Sequence, residues 1–154
     1  MALSGETDLF IMLRTLKPIL HSSCYMFLAV KPEVADQIPR ECTQCEFREV
    51  EGVTLVIEEN VLLEQKINSL LCDESVLGKN FEQNLYRAAW IQLEVHSALE
   101  AVGLTAAFAK CLGDAKISCN GIAGYYHDHL FVDFEKRFEA NRALDDLGRE
   151  HGGA

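Results

Sequence analysis

The fold is decided by one stretch of the sequence, residues 90–132, which reads WIQLEVHSALEAVGLTAAFAKCLGDAKISCNGIAGYYHDHLFV. At its start, the apolar residues Ile91, Leu93 and Val95 alternate with polar ones. Successive side chains of a β-strand point to opposite faces of the sheet, so this alternation is typical of a strand that is buried on one side. The stretch therefore begins with a half-buried strand.

The rest of this stretch predicts a helix and two more strands. A loop is expected over residues 96–103, and apolar residues then recur at helical spacing over residues 104–115. Strands are predicted over residues 117–123 and 130–132, with a turn over residues 124–129 between them. The order β-α-β-β favours an α+β fold with antiparallel strand pairing.

A second helix follows this stretch and completes the pattern β-α-β-β-α. Phe134, Phe138, Leu144 and Leu147 continue at helical spacing, and Gly148 is a plausible stop because glycine commonly ends helices. The tail over residues 148–154 is polar and rich in glycine, so we expect it to be flexible.

The first half of the chain has a similar order, with less regular signals. An amphipathic helix is predicted from residue 9 to residue 20, with its N-cap among Ser4, Thr7 and Asp8. The remaining elements expected before residue 72 are a strand (24–30), a connection with at most one helical turn (31–40), a hairpin (47–50 and 53–58, turning at Glu51-Gly52) and a helix (61–71). We therefore predict an N-terminal module over 5–71, a linker or insertion over 72–86, a C-terminal module over 87–147 and a flexible tail over 148–154.

The composition excludes several classes of protein. The chain has 154 residues, 49% of them hydrophobic, and a formal net charge of −10. An acidic protein does not offer the clustered cations that neutralise nucleic-acid phosphates or anionic lipids. No apolar run reaches the length of about 18 residues that a membrane span needs. The excess acid is uneven: residues 1–86 carry 7 basic and 14 acidic residues, whereas residues 87–154 carry 7 and 10.

Six cysteines without a secretory leader predict reduced thiols and a cytoplasmic protein. Glu6 and Asp8 stand where the basic segment of a signal peptide would lie. Cys42 and Cys45 have the CxxC spacing of zinc and redox sites. No second CxxC supplies further zinc ligands, so a structural role is favoured over metal or redox chemistry.

Residues 90–108 together with residues 117–132 resemble the ACT-domain proteins, and most of all the small tandem-ACT proteins. The resemblance extends to the tandem ACT modules of animal arginine sensors. It is specific over about residues 88–147 and weaker over residues 5–66, where FREVEGVTLVI (47–57) is similar to the first module. Residues 67–86 match no pattern of the family.

The resemblance implies tandem ferredoxin-like modules, each an antiparallel sheet with helices on one face. It also implies a non-catalytic regulatory protein that binds an amino acid or another small molecule at a module interface. The C-terminal module ends without a fourth strand of its own. That strand either comes from the first module or is replaced by a partner chain.

The chemistry of two segments agrees with a ligand site. A helix that begins after Gly103 offers free backbone N–H groups to a carboxylate, and Glu100 could neutralise a cationic group. By the resemblance, Asp128 faces the ligand cleft. The predicted ligand-binding set is Ser97, Glu100, Val102, Gly103, Leu104, Asn120, Ile122, Tyr125, His127 and Asp128.

Each of these residues also has a purely structural interpretation. Gly103 and Asp128 are typical turn residues, Glu100 suits a helix start, and Ser97 could only shape its loop. Asn120 and Ile122 share one face of their strand and either line the site or pack on the helix above. His127 and His129 could chelate a metal with His96, but no further ligand is evident, so no metal or cofactor is predicted.

The sequence thus favours a ligand-binding regulatory protein over an enzyme, since it shows no convincing nucleophile–base pair. A ligand would shift the arrangement or association of modules, and a partner protein or a second copy in a homodimer would respond. The alternative is a ligand-free protein that serves in protein interaction or dimerisation.

Overall fold

The computed structural model of the protein describes residues 5–64, 86–95 and 97–152. The strands are β1 (Pro18–Val30), β2 (Thr43–Arg48), β3 (Val53–Glu58), β4 (Tyr86–Leu93), β5 (Cys119–Ala123) and β6 (Asp128–Asp133). The helices are α1 (Leu9–Arg14), α2 (Pro32–Ala35), α3 (Glu59–Glu64), α4 (Leu104–Asp114) and α5 (Arg137–Glu150), with 3-10 turns at Arg40–Cys42 and Phe134–Lys136. None of the helices within these residues is long and apolar enough to span a membrane.

The chain forms two compact units that do not follow its order. One, which we call the composite unit, contains Met1–Ser22 and Ala89–Ala154. The other, the central unit, contains Ser23–Ala88. The helix α1, which the sequence assigns to the N-terminal module, therefore lies in the same unit as α4 and α5. The predicted linker over 72–86 lies outside the described residues except for Tyr86, which begins β4.

The composite unit is a sheet covered by helices on one side. Its strand order is β1-β4-β6-β5, in which β5 and β6 pair antiparallel. The missing fourth strand of the predicted C-terminal module is thus the start of β1, which comes from the first half of the chain. One side of the sheet packs against α1, α4 and α5 through a core whose buried members include Met12, Ile91, Leu93, Phe108, Leu112, Leu130 and Leu144.

The central unit has the strand order β2-β3-β1, with antiparallel pairs throughout. The predicted hairpin is confirmed: Val53, Leu55 and Ile57 are buried on one face, and Glu49 N donates to Gly52 O in the turn. Its first strand begins earlier than expected, at Thr43, and contains a register shift between Thr43 and Cys45. The connection after β1 holds one short helix, as predicted.

Two predictions about helix ends are wrong. The helix expected over residues 9–20 ends at Arg14, because Pro18 has no N–H to donate and opens β1 instead. The N-cap is Asp8, whose carboxylate accepts from Phe10 N and Ile11 N at 2.9 and 3.2 Å. At the other end, Gly148 does not stop the last helix. It lies buried inside α5, which continues to Glu150, so residues 148–150 are not part of a flexible tail.

The predicted β-α-β-β-α order of the second half is confirmed, with two shifts at strand boundaries. The strand expected from residue 117 begins at Cys119, and the strand expected from residue 130 begins at Asp128. Leu104, Phe108 and Leu112 are the buried face of α4, as their spacing predicts. The turn between β5 and β6 is therefore shorter than predicted and covers residues 124–127.

Candidate functional site

Two of the predicted site residues are joined directly in the composite unit. The Ser97 hydroxyl donates to the Asp128 carboxylate, with 3.0 Å between Oγ and Oδ2. Ser97 lies in the loop between β4 and α4, whereas Asp128 is the first residue of β6. The bond therefore brings the two segments that the sequence proposes for ligand binding together at one end of this unit.

The N-terminal segment contacts the loop between β4 and α4 through its backbone. Glu6 and Ser97 form a parallel bridge, and Ala98 N donates to Glu6 O at 3.0 Å. A Cβ on Gly5 would lie 2.5 Å from Ala98 N, so only glycine permits this close approach. No local pattern predicts this contact, because it joins residues that are more than ninety positions apart.

Gly103 is the N-cap of α4 and has a left-handed backbone, with φ of +102°. This conformation favours glycine. A Cβ here would lie 2.9 Å from the Leu9 side chain, so Leu9 of α1 occupies the space that the missing side chain leaves. Any role of Gly103 toward a ligand would thus come from its backbone. The first turn of α4 carries no acidic side chain that would compete for its N–H groups.

The other predicted loop residues differ widely in exposure. Glu100 is exposed, and Val102 is 82% exposed. Leu104 is buried at 3% exposure and belongs to the core, so its side chain is not available to a ligand. Leu104 could contact a ligand only through its backbone. The helical spacing of the apolar residues already predicts that its side chain lies in the core.

The predicted residues Asn120 and Ile122 lie on the side of the sheet away from the helices. Gly121, between them, faces Phe108 of α4, and neighbours along a strand point to opposite sides. The alternative that they pack on the helix above is therefore wrong. In the antiparallel register, Asn120 is opposite Phe131 and Ile122 is opposite His129.

The turn between β5 and β6 presents aromatic and imidazole groups. Tyr125 and Tyr126 are 58% and 56% exposed, and their rings meet edge to face with centroids 5.1 Å apart. Within the part of the chain that the structure describes, the Nδ1 atom of His127 is buried and has no hydrogen-bond partner. A buried polar atom of this kind commonly marks a place where a water or ligand binds.

The histidines do not gather into a metal site. His96, proposed as a third ligand, lies outside the described residues. His129 faces away from the helices, where its Nδ1 accepts a hydrogen bond from Trp90 Nε1 at 3.1 Å. Among residues 5–64, 86–95 and 97–152, no three His, Cys, Asp or Glu side chains are grouped closely enough to hold a metal ion.

The sequence assigns no role to Trp90. Its ring stacks on His21 of β1, with centroids 3.6 Å apart and planes 9° from parallel. The alternation of β4 could have placed Trp90 on the polar side of its strand. The partner His21 could not be foreseen, because it falls between the predicted helix over residues 9–20 and the predicted strand over residues 24–30.

The CxxC residues lie in the central unit as free thiols. Cys42 ends a 3-10 turn, and Cys45 lies on β2, where burial raises the pKa of its thiol. Cys45 also lines a wide pocket of about 560 Å³ along β2, together with charged side chains of both signs such as Arg40, Asp36 and Glu46. None of the predicted ligand residues borders this pocket, so its volume does not support the predicted site.

Comparisons with known proteins identify both halves of the chain. Two family models, each described as an ACT domain, match residues 4–69 and 86–146. No curated protein matches the chain. A solved structure from Vibrio cholerae, described as a protein of unknown function and a possible transport protein, is 38% identical over 91% of this chain and 95% of that chain, with a TM-score of 0.69.

More distant structures share the fold. The regulatory subunit of aspartate kinase from Thermus flavus is 8% identical over 85% of this chain and 96% of that chain, with a TM-score of 0.61. Escherichia coli aspartokinase III in complex with aspartate and ADP is 13% identical over 84% of this chain and 32% of that chain, with a TM-score of 0.58. With two family models in tandem and these neighbours, the chain belongs to the ACT-domain family.

Proposed function

We propose that this protein is a non-catalytic regulatory protein that binds an amino acid at one end of the composite unit. The proposed site lies between the loop before α4 and the turn before β6. The observation that carries it is the hydrogen bond between Ser97 and Asp128, because it joins the loop proposed from its chemistry to the residue proposed from the family resemblance. Membership of the ACT family supports a regulatory role, since ACT domains are regulatory rather than catalytic.

The groups at this site suit the two charges of an amino acid. The Asp128 carboxylate accepts one hydrogen bond from Ser97 and has lone pairs left for an ammonium group. The N–H groups in the first turn of α4, together with the helix dipole, favour a carboxylate. Glu100, exposed in the same loop, would extend the acidic side toward a basic side chain.

The output of binding would pass to another protein or to a second copy of this chain. The ligand would shift the population of conformations only if it binds one of them more tightly than the other. The related fold of aspartate kinase regulatory subunits supports such a role, and the aspartokinase III structure was obtained with aspartate. The free thiols agree with a cytoplasmic location.

A thermal-shift screen against the twenty amino acids tests this proposal. A ligand that binds only the native state stabilises it by mass action, by about 2.7 kcal/mol at 100 times its Kd. We expect one amino acid, or a few similar ones, to raise the Tm of the full chain. Titration calorimetry with that amino acid then gives the affinity.

Variants locate the site. D128N should weaken binding at least about tenfold, because it removes the charge that faces the ammonium. S97A should weaken it less, because it frees a carboxylate that the ligand can still use. The matched control is D146N, on the exposed side of α5, which should leave affinity unchanged. Equal affinity for D128N and wild type would place the ligand elsewhere.

The second candidate function is protein interaction without a ligand, and the exposed apolar side chains of the same segments favour it. Leu99 and Val102 are 65% and 82% exposed, close in sequence to Ser97, and the two tyrosines of the turn are also exposed. Exposed apolar patches commonly mark interaction surfaces. If no amino acid changes the Tm while solution mass depends on concentration, this second function is favoured.

A further inference from the structure

The side of the composite unit's sheet away from the helices carries a layer of rings. It consists of His21 on β1, Trp90 on β4, and His129 and Phe131 on β6. Trp90 stacks on His21 and lies nearly parallel to Phe131, with ring centroids 3.6 and 6.4 Å apart. Phe131 is only 1% exposed, whereas His21, Trp90 and His129 are half-buried.

One hydrogen bond in this layer depends on the charge of a histidine. Trp90 Nε1 lies 3.1 Å from His129 Nδ1. An indole N–H can only donate, so Nδ1 must be the unprotonated, accepting nitrogen and the ring proton must lie on Nε2. In the charged imidazolium both nitrogens carry protons, and neither can accept. Protonation of His129 therefore breaks this bond.

The other edge of the same ring contacts the turn before β6. A Cβ on Gly124 would lie 2.9 Å from His129 Nε2, so the ring fits closely over the glycine backbone. Gly124 N donates to His127 O at 2.9 Å and closes the turn that holds Tyr125 and Tyr126. His129 thus lies between Trp90 on one side and the turn on the other.

The surroundings of His129 favour its neutral form at neutral pH. Burial lowers its pKa, His127 lowers it further, Asp128 raises it, and His21 lowers it. Burial also lowers the pKa of His21, opposed by a hydrogen bond with the Gln92 side chain that favours the charged ring. Trp90 and Ile122, which also lie beside His129, bring no charge.

We propose that His129 is a proton-sensitive latch for the turn over residues 124–127. In its neutral form, His129 ties this turn to Trp90, and on protonation it loses the bond to Trp90 and releases the turn. This inference concerns the composite unit alone and does not depend on the ligand proposed above. It assigns an acid-sensitive conformational role to a histidine outside the predicted ligand set.

Tryptophan fluorescence gives a direct test, because Trp90 is the only tryptophan of the chain. We expect the emission of the full chain to change in one transition as pH falls from about 8 to about 4.5, with its midpoint below 6.5. H129Q should lose at least about half of this change, because a glutamine carbonyl can accept from the indole and does not titrate. An equal transition in H129Q would overturn the proposal.

Two further variants separate the histidines. H21Q removes a nearby positive charge from the acid form, so it should keep the transition and raise its midpoint. H151Q, at the end of α5 beside Phe10, is the matched control and should reproduce the wild-type curve. A transition that disappears in H21Q and persists in H129Q would assign the signal to the stacked ring instead.

Measurements on the unmodified protein guard against a variant that fails to fold. Nitrogen NMR of the imidazole rings should show the Nε2–H tautomer for His129 at about pH 7.5, and the opposite tautomer would refute the latch. Amide exchange of residues 124–127, corrected for the intrinsic effect of pH, should become at least about tenfold less protected once His129 is charged. Unchanged protection would show that the turn is not released.

The latch also predicts the direction of the pH dependence of stability. The pKa of His129 is lower in the folded than in the unfolded chain, so the unfolded chain binds more protons as pH falls below 6.5. The neutral form of His129 stabilises the fold fully above pH 6.5. This contribution is lost as the pH falls through the pKa that His129 has in the folded chain. The unfolding free energy of H129Q should therefore vary less with pH than that of wild type in this range.

Discussion

At the scale of single residues, glycines decide where segments of the composite unit can approach each other. Gly5 lets the N-terminal segment lie on the loop at Ala98, Gly103 makes room for Leu9, and Gly124 accepts the ring of His129. In each case, the space that a Cβ would need is occupied by a side chain or by backbone atoms of another segment. The sequence marks Gly103 and Gly124 as turn residues, but not what lies against them.

Gly103 offers the clearest test at this scale. G103A should destabilise the protein by about 1–2 kcal/mol, because a side chain is strained at φ of +102° and the new Cβ meets Leu9. The measurement is the free energy of unfolding in denaturant. The control G152A has φ of +86° but open space around its Cβ, so it should cost less. A G103A protein as stable as wild type would contradict the strain at this position.

At the scale of elements, the ends of the helices are set by packing as well as by local signals. α1 ends at Arg14, four residues before Pro18, where its own sequence demands it. α5 continues past Gly148, although glycine is a common stop, because this residue is buried against α1 and the segment after it. A glycine inside a helix weakens it by about 1 kcal/mol relative to alanine. At Gly148 this cost is offset by the close approach of α5 to the backbone of Leu16.

Two glycine-to-alanine changes in helices should therefore have opposite effects. At Gly113 in α4 a Cβ meets nothing within 4 Å, so G113A should stabilise the protein by up to about 1 kcal/mol. At Gly148 the Cβ would lie 3.0 Å from Leu16 O, so G148A should destabilise it. Thermal unfolding of both variants measures the difference. Equal stabilisation by both would show that α5 can move away from α1 at little cost.

At the scale of the whole molecule, a unit of structure is not a continuous piece of chain. Residues before β1 contribute Met12, Leu13 and Leu16 to the core beneath β4 and β6, and these are at most 7% exposed. The start of β1 also provides the strand next to β4. The C-terminal ACT segment is therefore complete only with residues from the N-terminal end of the chain.

It follows that residues 86–154 should not fold alone, although they contain the full match to one family model. Losing the three core side chains would cost about 2–5 kcal/mol each, and their sum is comparable to the whole stability of a typical domain. Circular dichroism should show little cooperative unfolding. A fusion of residues 1–22 to this segment through a flexible linker of about 15 residues should restore it. Cooperative unfolding of the isolated segment would show that α1 is dispensable.

The sequence by itself determined the order of the elements in the second half, the hairpin of the first half, the buried faces of β4 and α4, and the family. These follow from hydrophobic periodicity and turn residues, which act over a few positions. It also proposed Ser97 from its chemistry and Asp128 from the family resemblance. Their hydrogen bond became visible only in the fold, because β4, the loop and β6 bring together residues that are 31 positions apart.

Only the tertiary structure decided the composition of the composite unit, the extension of α5 through Gly148 and the layer of Trp90, His21 and His129. Each depends on contacts between positions far apart in the chain. Periodicity predicts which side of an element is buried, but not which distant element covers it. For the same reason, the sequence could place His129 beside a turn, whereas only the pairing of strands could place it against Trp90.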